Sequence, residues 1–213
     1  MANWEEIFRA AVENFQSRKY DVHGLTKSKV ENLLTSLLQT ELSILNPELA
    51  FYCEVPERQI YSSSKSENKL DLLAFKALQS ISSQPFLYSE FKFLYTGDIK
   101  DSFGTSRKSD KKDGQMSNIA DTRKFEEDLS RLVKFKRANL STTCIQGFYV
   151  CANKGHHYAN SPKDFPNRRF EHFVQDYSTS DWLEEPKLMT LSDTSTENSE
   201  EFWLKLVLFE VVV

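Results

Sequence analysis

Two short apolar runs in this chain carry charge in positions where charge is hardest to bury. The first is Asn68-Lys69-Leu70-Asp71-Leu72-Leu73-Ala74-Phe75, and the second is Phe86-Leu87-Tyr88-Ser89-Glu90-Phe91-Lys92-Phe93-Leu94-Tyr95. Both have the length and the Leu, Phe and Tyr content of strands. A carboxylate inside such a run needs a partner before it can leave water. Strands send alternate side chains to opposite faces, so Glu90 and Lys92 share one face while Phe91 and Phe93 take the other. Asp71, Glu90 and Lys92 gathered on one sheet face would offer hard oxygen ligands to a divalent cation, with an ammonium beside it. The plainer alternatives are a polar strand-edge position for Asp71 and a half-exposed face of alternating charge for Glu90 and Lys92.

The rest of the chain supplies elements around these strands. Trp4, Ile7, Phe8, Ala11, Val12 and Phe15 recur at helical spacing and predict a helix over 3–16. After a polar break, Thr26 can cap a second helix whose apolar face runs from Val30 to Leu45 and stops at Asn46-Pro47. Leu49 to Val55 reads as a strand, and Pro56 to Lys65 as a strand end and loop. The link from Ala77 to Pro85 is short enough to make the two charged strands antiparallel neighbours. Thr96 to Ala120 is polar, basic and long for an idle connection. Asp121 can cap a third helix carrying Phe125, Leu129, Leu132, Val133 and Phe135. Thr143 to Ala152 is an apolar strand, Asn153 to Asn167 a loop and Phe170 to Tyr177 a short helix. Lys187 to Leu191 and Phe202 to Val212 read as two late strands. The expected class is α/β, a mixed sheet flanked by helices, in a single domain over 1–213.

Composition narrows the function less than the motifs do. The net charge of −4 is uneven: 181–201 holds seven acids against Lys187, a net of −6, which leaves +2 elsewhere. Lys100, Arg107, Lys108, Lys111 and Lys112 form a basic cluster, so a local phosphate-binding face can exist on an acidic chain. Cys53, Cys144 and Cys151 have no zinc spacing and lie in apolar runs, as buried reduced thiols do. The acidic start, Met1 to Glu6, lacks the character of a secretory signal. No run is long enough to cross a bilayer. A cytoplasmic protein without a membrane partner is expected. His156, His157 and His172 have no third ligand at zinc spacing. There is no G-x-S-x-G elbow and no phosphate-cradling glycine loop.

An acidic residue on one strand followed by Glu-x-Lys on the next resembles the signature of the PD-(D/E)XK nuclease superfamily. The order helix, strand, strand, strand, helix, strand is similar to that superfamily's restriction-endonuclease-like core, here about 26–152. The helix over 3–16 and the extension over 153–213 would be additions. Leu70 stands where the motif has proline. The resemblance implies a nuclease acting on DNA with Mg²⁺ or Mn²⁺ held by Asp71 and Glu90, Lys92 as the catalytic cation, and Lys100, Arg107, Lys108, Lys111 and Lys112 as DNA contacts. It also implies a glutamate from the preceding helix. Glu31, early in that helix, is favoured over Glu41, which sits nearer the middle of the apolar face. Lys124, Asp128, Arg131 and Lys134 follow ordinary surface-pairing spacing, and Lys124 or Asp128 is a candidate near the metal. A catalytically inactive binding module of the same fold, an unrelated α/β interaction protein, a protein partner and a second copy of the chain remain open.

Overall fold

The computed structural model describes residues 3–18, 30–60, 69–77, 84–96, 99–100, 106–107, 122–153, 182–195 and 201–213. Among these, three helices of 14 to 17 residues pack on a six-stranded mixed sheet. The helices are α1 (Trp4–Ser17), α2 (Val30–Leu45) and, after the single turn α3 (Glu57–Ile60), α4 (Thr122–Ala138). The strands are β1 (Leu49–Pro56), β2 (Lys69–Lys76), β3 (Leu87–Thr96), β4 (Ile99–Lys100), β5 (Ser106–Arg107), β6 (Thr143–Asn153), β7 (Lys187–Ser195) and β8 (Glu201–Glu210). The large sheet has the order β1-β2-β3-β6-β8-β7, and β4 and β5 form a separate hairpin. The β3–β6 pair is parallel and every other pair in the sheet is antiparallel. A parallel pair needs a crossover, and α4 lies on that connection.

Two cores lie on opposite faces. On one, Phe8, Val12 and Phe15 of α1 and Leu34, Leu38 and Leu42 of α2 pack against Leu72, Phe91, Phe93 and Tyr149. On the other, Leu129, Leu132 and Phe135 of α4 pack against Leu73, Phe75, Tyr88 and Phe148. The period-2 alternation of β3 therefore places Phe91 and Phe93 under α1 and α2, and Tyr88 under α4. Side chains of the same parity as Tyr88, Glu90 and Lys92 among them, fall on the α4 face.

The helices are tied down by polar contacts as well as by burial. In α2, Thr35 Oγ1 donates to the Glu31 carbonyl at 2.9 Å and receives the Tyr149 hydroxyl at 3.3 Å, while Gln39 Nε2 donates to the Phe51 carbonyl at 2.8 Å. Glu41 is fully buried between helices, held by Arg18 at 2.7 Å and by Asn14. On α1, Asn3 caps the Glu5 N–H at 3.0 Å, and Trp4 Nε1 donates to Glu210 at 2.5 Å. Gln16 donates its side-chain amide to the Thr190 carbonyl of the edge strand β7, beside an irregularity in pairing between Thr190 and Ser192.

Three expectations change. The segment after Pro56 begins with the helical turn α3 instead of continuing as strand end and loop. The stretch Thr96 to Ala120 contains β4 and β5, with Ile99 opposite Arg107 and Lys100 opposite Ser106. β7 continues to Ser195, past the Leu191 end expected from sequence. Thr26, Asp121, the loop Asn153 to Asn167 beyond Asn153 itself, the helix expected over Phe170 to Tyr177, and His156, His157 and His172 lie outside the described residues. No described helix is long and apolar enough to cross a membrane.

Gly147 of β6 lies directly against an aromatic ring. A Cβ there would land on the Phe91 ring, 2.5 Å from Cε1, and that ring is itself stacked on Tyr149 with centroids 5.2 Å apart. Neither strand can retreat without breaking its ladder. Gly147→Ala is therefore expected to destabilise the fold by about 1–3 kcal/mol. Thermal melting should show a drop of roughly 2–10 °C, and an unchanged Tm would contradict this packing.

Candidate functional site

The site begins where β2 leaves β3. The antiparallel ladder runs from Ala74–Leu87 to Leu72–Ser89 and stops, whereas β3 continues beside β6 as far as Thr96. The departure coincides with a twist in β2. The β1–β2 pairing skips the positions of Glu54 and Asp71, and Glu54 has a positive φ of 55°. Cys53 and Leu72 pack toward α1 and α2, while Val55 and Leu70, the next pair along, pack toward α4. A left-handed glutamate costs about 1–2 kcal/mol, and such strain collects near functional sites.

Past Ser89 the β2-facing N–H groups of β3 need other acceptors. Two carboxylates take them. Asp71 Oδ2 accepts from the Phe91 N–H at 2.7 Å, and Glu31 Oε2, from the first turn of α2, accepts from the Phe93 N–H at 2.8 Å. The gap in the sheet thus joins a strand carboxylate to a helix carboxylate.

The α4 face completes the cluster. Glu90 is 1% exposed; the Tyr88 hydroxyl donates to its Oε1, and Arg131 Nη2 lies 3.1 Å from the same oxygen. Arg131 Nη2 also meets Asp128 Oδ1 at 2.5 Å. Lys92 Nζ lies 2.6 Å from Asp128 Oδ2, 3.0 Å from the Phe91 carbonyl and 3.8 Å from Glu31 Oε1. From β6, Gln146 Nε2 donates to the Glu90 carbonyl at 3.2 Å, while its Oε1 is buried with no hydrogen-bond partner.

Charge follows from this packing. Burial raises the Asp71 carboxyl above its usual range, against the opposing pull of Lys92 and the Phe91 N–H. Burial, and then the neighbouring Asp71, push Glu90 well up despite Arg131. Burial raises Glu31 to about 7, with Lys92 opposing and Asp71 reinforcing the shift. Burial works against the charge on Lys92, but Glu31, Asp128 and Asp71 outweigh it and hold its pKa above the ordinary lysine value.

Asp71, Glu90, Lys92 and Glu31, the residues singled out from sequence, meet here; Glu41 is instead part of the α1–α2 contact. Asp128 departs from the surface-pairing expectation, since it is 5% exposed and binds Lys92. Arg131, given only a surface role from sequence, grips Glu90. A signal for Asp128 was present: it stands four and seven residues before Leu132 and Phe135, on the buried stripe of its helix. Lys100 and Arg107 lie on the β4–β5 hairpin, and Lys108, Lys111 and Lys112 lie outside the described residues, as does the side chain of Lys124.

Among the described residues, no three carboxylate, imidazole or thiol groups form a ready-made cation cage. The donors that fit a hard cation are Asp71 and Glu90, whose carboxyl groups act on one another electrostatically. Two carboxylates suffice for Mg²⁺, which keeps several waters and rarely takes an all-protein shell. No protein-family model matches the chain, and no curated protein or solved structure matches it.

The raised carboxyl values give a pH test. Folded, Glu31 holds its proton up to about pH 7, whereas an unfolded glutamate releases it near 4.5. The folded state binds more protons across that window, so cation-free stability falls as pH rises through it. Asp71 and Glu90 shift in the same direction. Melting curves should show the wild type losing about 1–3 kcal/mol more than Glu31→Gln between pH 4.5 and 7. Equal losses would mean that Glu31 ionises normally.

Proposed function

We propose that the chain is a divalent-cation-dependent nuclease of the PD-(D/E)XK type, hydrolysing phosphodiester bonds of DNA. The single observation that carries the reading is the meeting of Asp71, Glu90 and Lys92 where β2 parts from β3. The order α2, β1, β2, β3, α4, β6, with β3 and β6 parallel, supports a restriction-endonuclease-like core. Asp71 and Glu90 would hold Mg²⁺ or Mn²⁺, which supplies a water of lowered pKa and a positive charge for the phosphate.

The chain's own groups divide the remaining work. Lys92 is held charged by three carboxylates, so it orients the nucleophile and neutralises the transition state instead of taking a proton. Glu31, with a pKa of about 7, is the group suited to proton transfer near neutrality. Asp128 positions Lys92 through the 2.6 Å contact. Lys100 and Arg107 on the hairpin would meet the DNA backbone, with Lys108, Lys111 and Lys112 continuing that basic segment. A second reading, an inactive DNA- or protein-binding module, is favoured by the ion pairs of Glu90 with Arg131 and of Asp128 with Lys92, which give these carboxylates cationic neighbours without a metal.

Cleavage assays separate the two. The purified protein should cut DNA with Mg²⁺ or Mn²⁺, and EDTA should stop it. Asp71→Asn and Glu90→Gln should eliminate cutting while preserving the fold. Lys92→Met should retain cation binding and lose on the order of a hundredfold in rate. A wild type inert on single-stranded, duplex and branched DNA and on RNA would leave the binding module as the function.

A further inference from the structure

Four carboxyl groups, those of Glu31, Asp71, Glu90 and Asp128, meet two basic side chains, Lys92 and Arg131, in the cluster. The two resident cations are seated differently. Lys92 reaches two carboxylates and a main-chain carbonyl. Among the described residues, Arg131 contacts both Glu90 and Asp128 through Nη2, while its Nε is buried with no hydrogen-bond partner. A buried donor left unmade is costly, so this guanidinium is held by charge without a complete set of hydrogen bonds. Gln146 Oε1 is the opposite case, a fully buried acceptor without a donor, on the residue whose amide bonds to the Glu90 carbonyl. Arg131 and Gln146, each bonded to Glu90, thus carry orphan atoms of complementary type.

We infer that Arg131 is a resident counter-cation of Glu90, and that a divalent cation must displace it to bind. The inference rests on the assignment of Asp71 and Glu90 as the cation's ligands. The arginine closes the site while it is empty and stabilises a carboxylate that burial would otherwise leave uncompensated. Once displaced, the guanidinium lies on the sheet face that carries Lys92 and is available to a phosphate, which its planar fork suits better than an ammonium does. Cation entry and phosphate recognition are thereby coupled through one side chain.

The experiment measures Mn²⁺ binding to the full chain by titration calorimetry, with no nucleic acid present. Arg131→Met keeps the bulk of the side chain and removes the charge, and should bind Mn²⁺ at least about tenfold more tightly than wild type, the scale of one like charge removed at this range. Arg131→Lys keeps the charge but cannot bridge Glu90 and Asp128 in the same way. It should fall between the two, and it decides the matter if Arg131→Met fails to fold without the ion. Affinity equal to or weaker than wild type in the folded variant overturns the inference. Asp71→Asn identifies the source of such a failure. If it abolishes Mn²⁺ binding, the ligand assignment stands and only the role of Arg131 is wrong. If wild type binds no Mn²⁺, or binds it independently of Asp71, the metal site and this inference fail together.

Discussion

Two backbone N–H groups determine the architecture around the carboxylates. β3 runs beside β6 through Thr96, but its other edge loses β2 after Ser89, and a peptide donor in a packed interior cannot be left unpaired. Asp71 and Glu31 supply the missing acceptors for Phe91 and Phe93. Those bonds fix β2, β3 and α2 relative to one another and hold two carboxylates near Glu90, whose own charge would repel them. A sheet without the gap would have no need of charge at this depth. With the gap, carboxylates become structural members, and repulsion between them is contained by Lys92 and Arg131.

That dual role explains why the helices are anchored by polar contacts near the site. Glu31 can reach β3 because Thr35, one turn along, is tied to Tyr149 of β6. Asp128 and Arg131 can reach β3 because Phe135 meets Tyr88 edge-on, with centroids 5.1 Å apart, and Lys136 binds the Thr142 carbonyl at 2.8 Å where α4 turns into β6. Apolar contacts set the distance of each helix from the sheet. The polar ones fix its register, so that a side chain lands on one particular N–H or ammonium.

Sequence carried the strands and the shared face of Glu90 and Lys92, because period-2 alternation in an apolar run depends only on local geometry. It also pointed to Glu31 ahead of Glu41, and those two residues do occupy different worlds, one at β3 and the other between α1 and α2. What it could not carry was anything that depends on where strand pairing stops. The end of the β2–β3 ladder and the positive φ of Glu54 arise from tertiary packing. Asp128 and Arg131 stand three residues apart, a spacing that solvated helices use for weak surface pairs, and only the sheet beneath them turns the pair into counter-charges for Glu90 and Lys92. The hairpin of β4 and β5 was hidden for a similar reason, since two-residue strands leave no period to read.

The edge strand β7 shows how a small contact can govern behaviour in crowded solution. An outer strand exposes unpaired peptide groups that invite a strand from another chain and so seed aggregation. Here the irregularity between Thr190 and Ser192 bends the edge at its middle, and Gln16 of α1 occupies the Thr190 carbonyl. A foreign strand would meet a broken template with one acceptor already taken. The N-terminal helix thus serves the sheet as a guard rail: besides burying Phe8, Val12 and Phe15, it covers part of the β7 edge.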